Sequence, residues 1–308
     1  MRMRWMIIAI LLTPLIGCQT FYHPSKPASC CPPPPPKVIS VVHKVPDFNR
    51  IDVAGDVNVR IHTHARRAWI GIHGDSRDVE NITWTVEHRT IILRVKDDVA
   101  LYGPVDINLG VPHLHYLGYH GKGKLTGHHM ATQQLDVDIA NDLMTDLDGR
   151  INLHYAVFGG DGRVHLRTGV NRDLNMVLVD DVHVKIEGVS YLRTLNMSDN
   201  SYLSMHWVKA KTLRVLMKNS ACAYLAGTAQ LALIDLFGDA NLNARYLRTT
   251  EAYVKTHDRA TARISVLTTQ HALARDNSNI YYYNAPTYMN NFMAGNGSIL
   301  NMGTLGKT

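Results

Sequence analysis

The chain has 308 residues, of which 45% are apolar, 19% charged and 7% aromatic, with a formal net charge of +6. That apolar share excludes wholesale disorder, and four cysteines over this length exclude a disulfide-stapled scaffold. Without Arg2 and Arg4, which fall in a segment expected to be removed, the charge is near +4 and the basic residues are scattered, so nothing argues for a nucleic-acid partner.

Residues 1–17 read MRMRWMIIAILLTPLIG: a cationic start followed by an apolar run from Trp5 to Ile16. The run is short of the ~20 residues of a spanning helix and has the layout of a secretory signal peptide. Leu15-Ile16-Gly17-Cys18 then looks like a bacterial lipobox, which implies cleavage between Gly17 and Cys18 and lipidation of Cys18. Acyl chains contribute ~0.8 kcal/mol per buried CH₂, so multiple acylation anchors a protein firmly. Gln19 after the cysteine favours the outer membrane, by resemblance to the sorting rule of Gram-negative lipoproteins. An ordinary signal peptide, or an uncleaved anchor with Cys18 incidental, is the competing reading.

Residues 18–36 form a tether: His-Pro and Lys-Pro pairs, then Cys30-Cys31, then Pro32 to Pro36. A proline run of this kind favours extended polyproline II, a stiff spacer at ~3.1 Å per residue. Adjacent cysteines cannot bridge each other without strain, so Cys30 or Cys31 could link two chains into a dimer.

Residues 37–110 are expected to be an N-terminal β cap or the first coils of a repeat region. Ile51-Asp-Val53 and Val57-Asn-Val59-Arg-Ile61 alternate strictly around one glycine break, and strand-like segments recur through Trp84 and Val95.

Residues 111–308 repeat. From Asn141 a polar turn residue recurs, followed by two variable positions and an apolar-x-apolar pair: Asp161 with Val164 and Leu166, Asp181 with Val184 and Ile186, Asn200 with Leu203 and Met205. The pattern continues at Ser220, Asp239, Arg259, Asn277 and Asn296, in steps of 18 to 20 residues. Leucines at 135, 153, 174, 195, 213 and 231 suggest a second column. No stretch carries helical periodicity, and the asparagine of leucine-rich repeats is missing. Short strands stacked as the coils of a β-helix remain, each coil ~4.8 Å from the next. The predicted core column is Val164, Val184, Leu203, Ala223, Leu242, Ala262, Ile280 and Ile299.

The order Phe48-x-x-Ile51-x-Val53-x-Gly55, a second strand ending in His73-Gly74-Asp75, and ~20-residue coils with small polar turns resemble the auto-transporter adhesin head GIN domain family, over about residues 47–300. The resemblance implies an all-β, right-handed parallel β-helix at a bacterial cell envelope, and its name suggests adhesion.

Candidate chemistry is sparse. Asp161 and Asp181 stand at equivalent positions on consecutive coils, where two carboxylates near 5 Å apart could hold Ca²⁺ or form a retaining-glycosidase pair; the alternative is that each accepts turn N–H bonds. His62, His64, His113 and His115 form two same-face pairs, and His128-His129 should point to opposite faces of a strand. Two pairs do not make a zinc site, so no metal and no cofactor are expected. The outward column beside the core includes Tyr202, Asn241 and Asn279, and Tyr281 to Tyr283 cannot all face inward. Tyr202, Asn241, Asn279, Tyr281 and Tyr283 are therefore the candidate binding surface. The expected protein is a lipid-anchored envelope protein whose β-helix is a non-catalytic surface for glycan or protein; the alternatives are a polysaccharide-degrading β-helix enzyme and a periplasmic scaffold.

Overall fold

A computed structural model describes residues 37–96 and 100–303. The expected signal peptide, Gly17, Cys18 and the Cys30-Cys31 pair lie outside the described residues. Among those described, no helix is long and apolar enough to cross a membrane.

The fold is an all-β solenoid of about ten coils. The repeating coils are β9 (Lys124–Asn141), β10 (Met144–Gly159), β11 (Arg163–Leu178), β12 (His183–Met197), β13 (Tyr202–Met217), β14 (Cys222–Leu236), β15 (Asn241–Thr256) and β16 (Thr261–Ala274). Each pairs in parallel with the next. Each is a long strand bent in the middle, where the pairing register slips, for example between Ile186 and Ser190 or between Met205 and Val208. A coil thus has two arms. Beyond β16 they continue as separate strands, β17 (Asn279–Tyr283) on the first arm and β18 (Tyr288–Met293) on the second, with β19 (Ser298–Asn301) stacked on β17.

The N-terminal segment is mixed. β2 (Arg50–Ala54) and β3 (Asn58–His62) pair in parallel with β6 (Thr90–Val95), β7 (Asp106–Gly110), β8 (Tyr116–Gly121) and β9. In contrast, β1 (Val38–Lys44) and β7 pair antiparallel with β4 (Trp69–Asp75), and β5 (Ile82–Glu87) with β6. The short α1 (Ser76–Val79) follows β4, capped by the Asp75 carboxylate.

The predicted core column is in register from Val164 through Val184, Leu203, Ala223, Leu242, Ala262 and Ile280 to Ile299. All are buried except Ile299 on the last coil, which is only partly covered. The predicted turn residues also hold their place, and the residue before each completes the explanation. Asp180, Asp199, Asn219, Asp258 and Asp276 have φ between 58° and 61°, and Gly160, Gly238 and Gly295 fall in the same left-handed region. Only Gly, Asn and Asp enter that region cheaply, so the turn selects its residues by backbone conformation.

The second leucine column does not exist as expected. Leu195 pairs with Met176 and Val215, Leu213 with Ala232, and Leu231 with Thr212 and Glu251. The bend holds a variable number of residues, so the second arm keeps phase with the following turn; Leu135 and Leu153 pair, but Leu195, Leu213 and Leu231 fall in three different columns. At the bend, Gly227 has φ +139°, and a Cβ there would collide with the Val208 carbonyl oxygen.

Candidate functional site

The first-arm surface carries the predicted ladder. Arg163, His183, Tyr202, Cys222, Asn241, Thr261, Asn279 and Ser298 stack in register, facing outward. The Tyr202 ring stacks on His183 at 5.3 Å and tilts against Tyr224 at 5.7 Å. Asn241 accepts a hydrogen bond from Arg263 at 3.0 Å, and the Ser298 hydroxyl donates to Asn279. Tyr281 lies beneath the Arg263 guanidinium. Tyr281 and Tyr283 are half-buried on the outer face, while Tyr282 points into the core. The predicted residues therefore share one face, and several already use their polar groups on one another.

Several charges on this face are also paired. Asp148 accepts hydrogen bonds from the His128 ring at 2.6 Å, the His129 N–H at 2.8 Å and Arg167 at 3.0 Å. These donors, His128 first, hold its carboxyl well below the usual carboxylate range. Arg167 also reaches Asp146, and Glu187 pairs with Lys185 and His165. Contrary to expectation, His128 and His129 are both exposed, because His129 takes φ +53° and breaks the strand alternation. His62 stacks on Trp69, and His64 bonds the His129 carbonyl. Among the described residues, no three His, Cys, Asp or Glu side chains converge on a point.

Asp161 and Asp181 behave as turn residues. The Asp181 carboxylate accepts from the Asn200 amide at 2.7 Å, and the Asp161 N–H donates to Asp142 at 3.2 Å. Down the same column Arg259 clamps Asp239, with one contact at 2.6 Å, and Asn296 donates to Asn277. Neighbouring coils thus satisfy each other's turns.

A different feature stands on the second arm. Just past the bend, the strands of β11 to β16 line an open groove of about 860 Å³. Its cations are Arg172, Arg193, Lys209, Lys211, Arg214 and Arg248, against one carboxylate, Asp173. Arg193 pairs with Asp173 at 3.2 Å; among the described residues, the other five have no carboxylate within ion-pairing reach. The placement follows from register. Tyr191 pairs with Lys209, Lys209 with Thr228, and Thr228 with Arg248, while Arg172 follows Asn171, the partner of Ser190. The column beneath is buried at Asn171, Ser190, Val208 and Leu247 and partly covered at Gly227, so its successors face outward by strand alternation. Asn171 donates to Ser190 at 2.9 Å and secures the floor. None of these cations was singled out by the sequence, although steps of 18 to 20 residues link 172, 191, 209, 228 and 248.

Comparison with known proteins adds three findings. Residues 178–286 match the family described as "Putative auto-transporter adhesin, head GIN domain". No curated protein sequence matches the chain. Among solved structures, a putative adhesin from Parabacteroides merdae ATCC 43184 is similar at 15% identity and a TM-score of 0.55, covering 86% of this chain and 96% of that one. A putative adhesin from Bacteroides fragilis NCTC 9343 is 20% identical, with a TM-score of 0.34 and coverage of 87% and 99%. A putative lipid binding protein from Parabacteroides distasonis ATCC 8503 is 13% identical, with a TM-score of 0.45 and coverage of 86% and 96%. The coils that line most of the basic groove thus fall within the segment, residues 178–286, that matches the head GIN domain model, and the fold is similar to that of the Parabacteroides merdae protein.

Proposed function

We propose that this chain is an envelope-anchored binding protein, acylated at Cys18 in the outer membrane, with its Pro-rich segment as a spacer and its solenoid as a non-catalytic adhesion surface for glycan or protein. The observation that carries this reading is the coincidence of the family match with the groove: residues 178–286 belong to coils whose outer surface is an open groove. The adhesin names of the matching family and of the Parabacteroides merdae protein support the same reading.

The chemistry offered is that of contact. A parallel ladder repeats a side-chain position every ~4.8 Å, so one coil's weak contact is multiplied along the rod without a separate ordering cost for each. Tyr202, Asn241, Asn279, Tyr281 and Tyr283 offer a second strip on the first arm, where rings and amides suit sugar or peptide contact. Catalysis by Asp161 and Asp181 finds no support in their bonding, since the Asp181 carboxylate is engaged by Asn200.

The test is acyl labelling combined with protease shaving of intact cells. The expected result is a fatty-acyl label on the native chain that Cys18→Ala removes, with the labelled chain digested from outside while a periplasmic control survives. Absence of label overturns the anchor. Protection of a labelled chain overturns the adhesive reading in favour of a periplasmic scaffold.

A further inference from the structure

On the first arm, Arg167 and Lys185 meet carboxylates, while Arg263 turns to Asn241 and the Tyr281 ring. The second-arm groove is set apart by concentration: six cations line one concave surface against a single acidic group, and five of them lack a carboxylate partner among the described residues. Like charges gathered in a concave site repel one another and focus a positive potential there. An anionic partner relieves that repulsion.

The spacing narrows the partner. Arg172, Lys209 and Arg248 occupy every second coil of one ladder, so successive cations lie about 10 Å apart along the solenoid axis. Between them, on the intervening coils, stand Tyr191 and Thr228. Tyr191 is 42% exposed, with its ring available from solvent. Two residues along, Lys211 and Gln230 form a parallel row on the same face. The row thus alternates cation, aromatic ring, cation, hydroxyl, cation. An acidic polysaccharide with a uronate on every sugar, as in alginate, or on every second sugar, as in chondroitin sulfate, can set carboxylates at comparable intervals with a sugar ring between them. A ring face packs on an aromatic side chain, and hydroxyls bond to Thr and Gln.

We infer that the groove is a binding site for an acidic polysaccharide, laid along the solenoid axis with its charged groups on Arg172, Lys209 and Arg248 and a sugar ring on Tyr191. The inference rests on the reading of the chain as a binding surface. Its test uses purified protein and does not depend on acylation or exposure on the cell, so the two can fail separately.

The experiment measures binding of the full chain, in detergent, to immobilised alginate, chondroitin sulfate, polyphosphate, neutral dextran and duplex DNA at several salt concentrations. Lys209→Glu/Arg248→Glu is compared with Arg66→Glu/Arg67→Glu, which makes the same change in net charge at exposed positions outside the groove. Circular dichroism checks that both fold. The expected result is binding to alginate or chondroitin sulfate that weakens with salt, little binding to dextran, and a loss on the order of tenfold or more confined to the groove pair. Alginate carries uronate alone and chondroitin sulfate carries uronate and sulfate, so comparing them shows whether carboxylates suffice or sulfate adds to binding. Tyr191→Ala is expected to weaken saccharide binding several-fold and leave polyphosphate unaffected. Equal losses in the two double variants, saccharide binding that ignores Tyr191→Ala, tighter binding to DNA or polyphosphate than to both saccharides, or no binding to either saccharide would each overturn the inference.

Discussion

Replacing Asp258 tests whether the coil turn is specified by backbone conformation. Asp258 sits at φ +58°, its carboxylate accepts the Gly238 N–H at 2.9 Å, and its own N–H donates to Asp276 at 3.2 Å. Alanine keeps the backbone N–H but loses the carboxylate acceptor, worth about 0.5–1.5 kcal/mol. Alanine also meets the left-handed penalty of about 1–2 kcal/mol that Asp partly escapes. Asp258→Ala should therefore destabilise by roughly 1–3 kcal/mol, a fall of several degrees in Tm for a protein of this size. Asp258→Gly loses the hydrogen bond but not the conformation and should cost only about 1 kcal/mol. Asp258→Asn keeps both and should stay within about 0.5 kcal/mol. Urea unfolding followed by far-UV circular dichroism gives the order Asn, Gly, Ala. Finding Asp258→Ala as stable as the native chain, or Asp258→Gly as damaged as Asp258→Ala, would refute the reasoning.

Three further outcomes rest on the same geometry. Leu203 is fully buried mid-solenoid and Ile299 only partly covered at the end, so Leu203→Ala should cost about 2–5 kcal/mol in urea unfolding and Ile299→Ala distinctly less; equal costs contradict a continuous core with a thin last coil. The Arg77 guanidinium and N–H hold the Asp75 carboxyl at about 2, below its ordinary 3.8. Its stabilising share is therefore complete above that ordinary value and lost as pH falls toward 2; the drop in urea midpoint from pH 5 to pH 2.5 should shrink in Asp75→Asn, and an unchanged drop contradicts the assignment. Burial pushes the Cys222 thiol up, so in a chain with Cys18, Cys30 and Cys31 replaced by Ser it should react slowly with a thiol reagent at neutral pH and quickly in denaturant; a native rate equal to that of free cysteine contradicts its half-buried place.

The first arm is legible in the sequence because each coil restarts from a turn with fixed chemistry, so core residues such as Val184, Leu203 and Leu242 recur at a fixed distance after it. The left-handed column of Asp180, Asp199, Asn219 and Asp258 lies one position ahead of the polar residues that mark the repeat, and its conformation explains why the period is kept. The second arm is not legible, because bends such as that at Gly227 absorb different numbers of residues and detach its phase from the preceding turn. That is why Leu195 and Leu213 resemble one column and belong to two. The groove is hidden for a related reason. Arg172, Lys209 and Arg248 alternate with Tyr191 and Thr228, so within that row adjacent coils never repeat the charge, and only the pairing of β11 to β15 reveals it. The expected opposition of His128 and His129 fails through one torsion, the positive φ of His129.

Binding without turnover is the claim on which the functional reading stands, and the most direct measurement is the size of an acidic polysaccharide before and after prolonged incubation with the full chain. Size-exclusion chromatography with a reducing-end assay should show the polymer co-eluting with protein, at unchanged length and with no new ends. Shortened polymer, new reducing ends or unsaturated sugar products would contradict that claim and make the solenoid a polysaccharide-degrading enzyme.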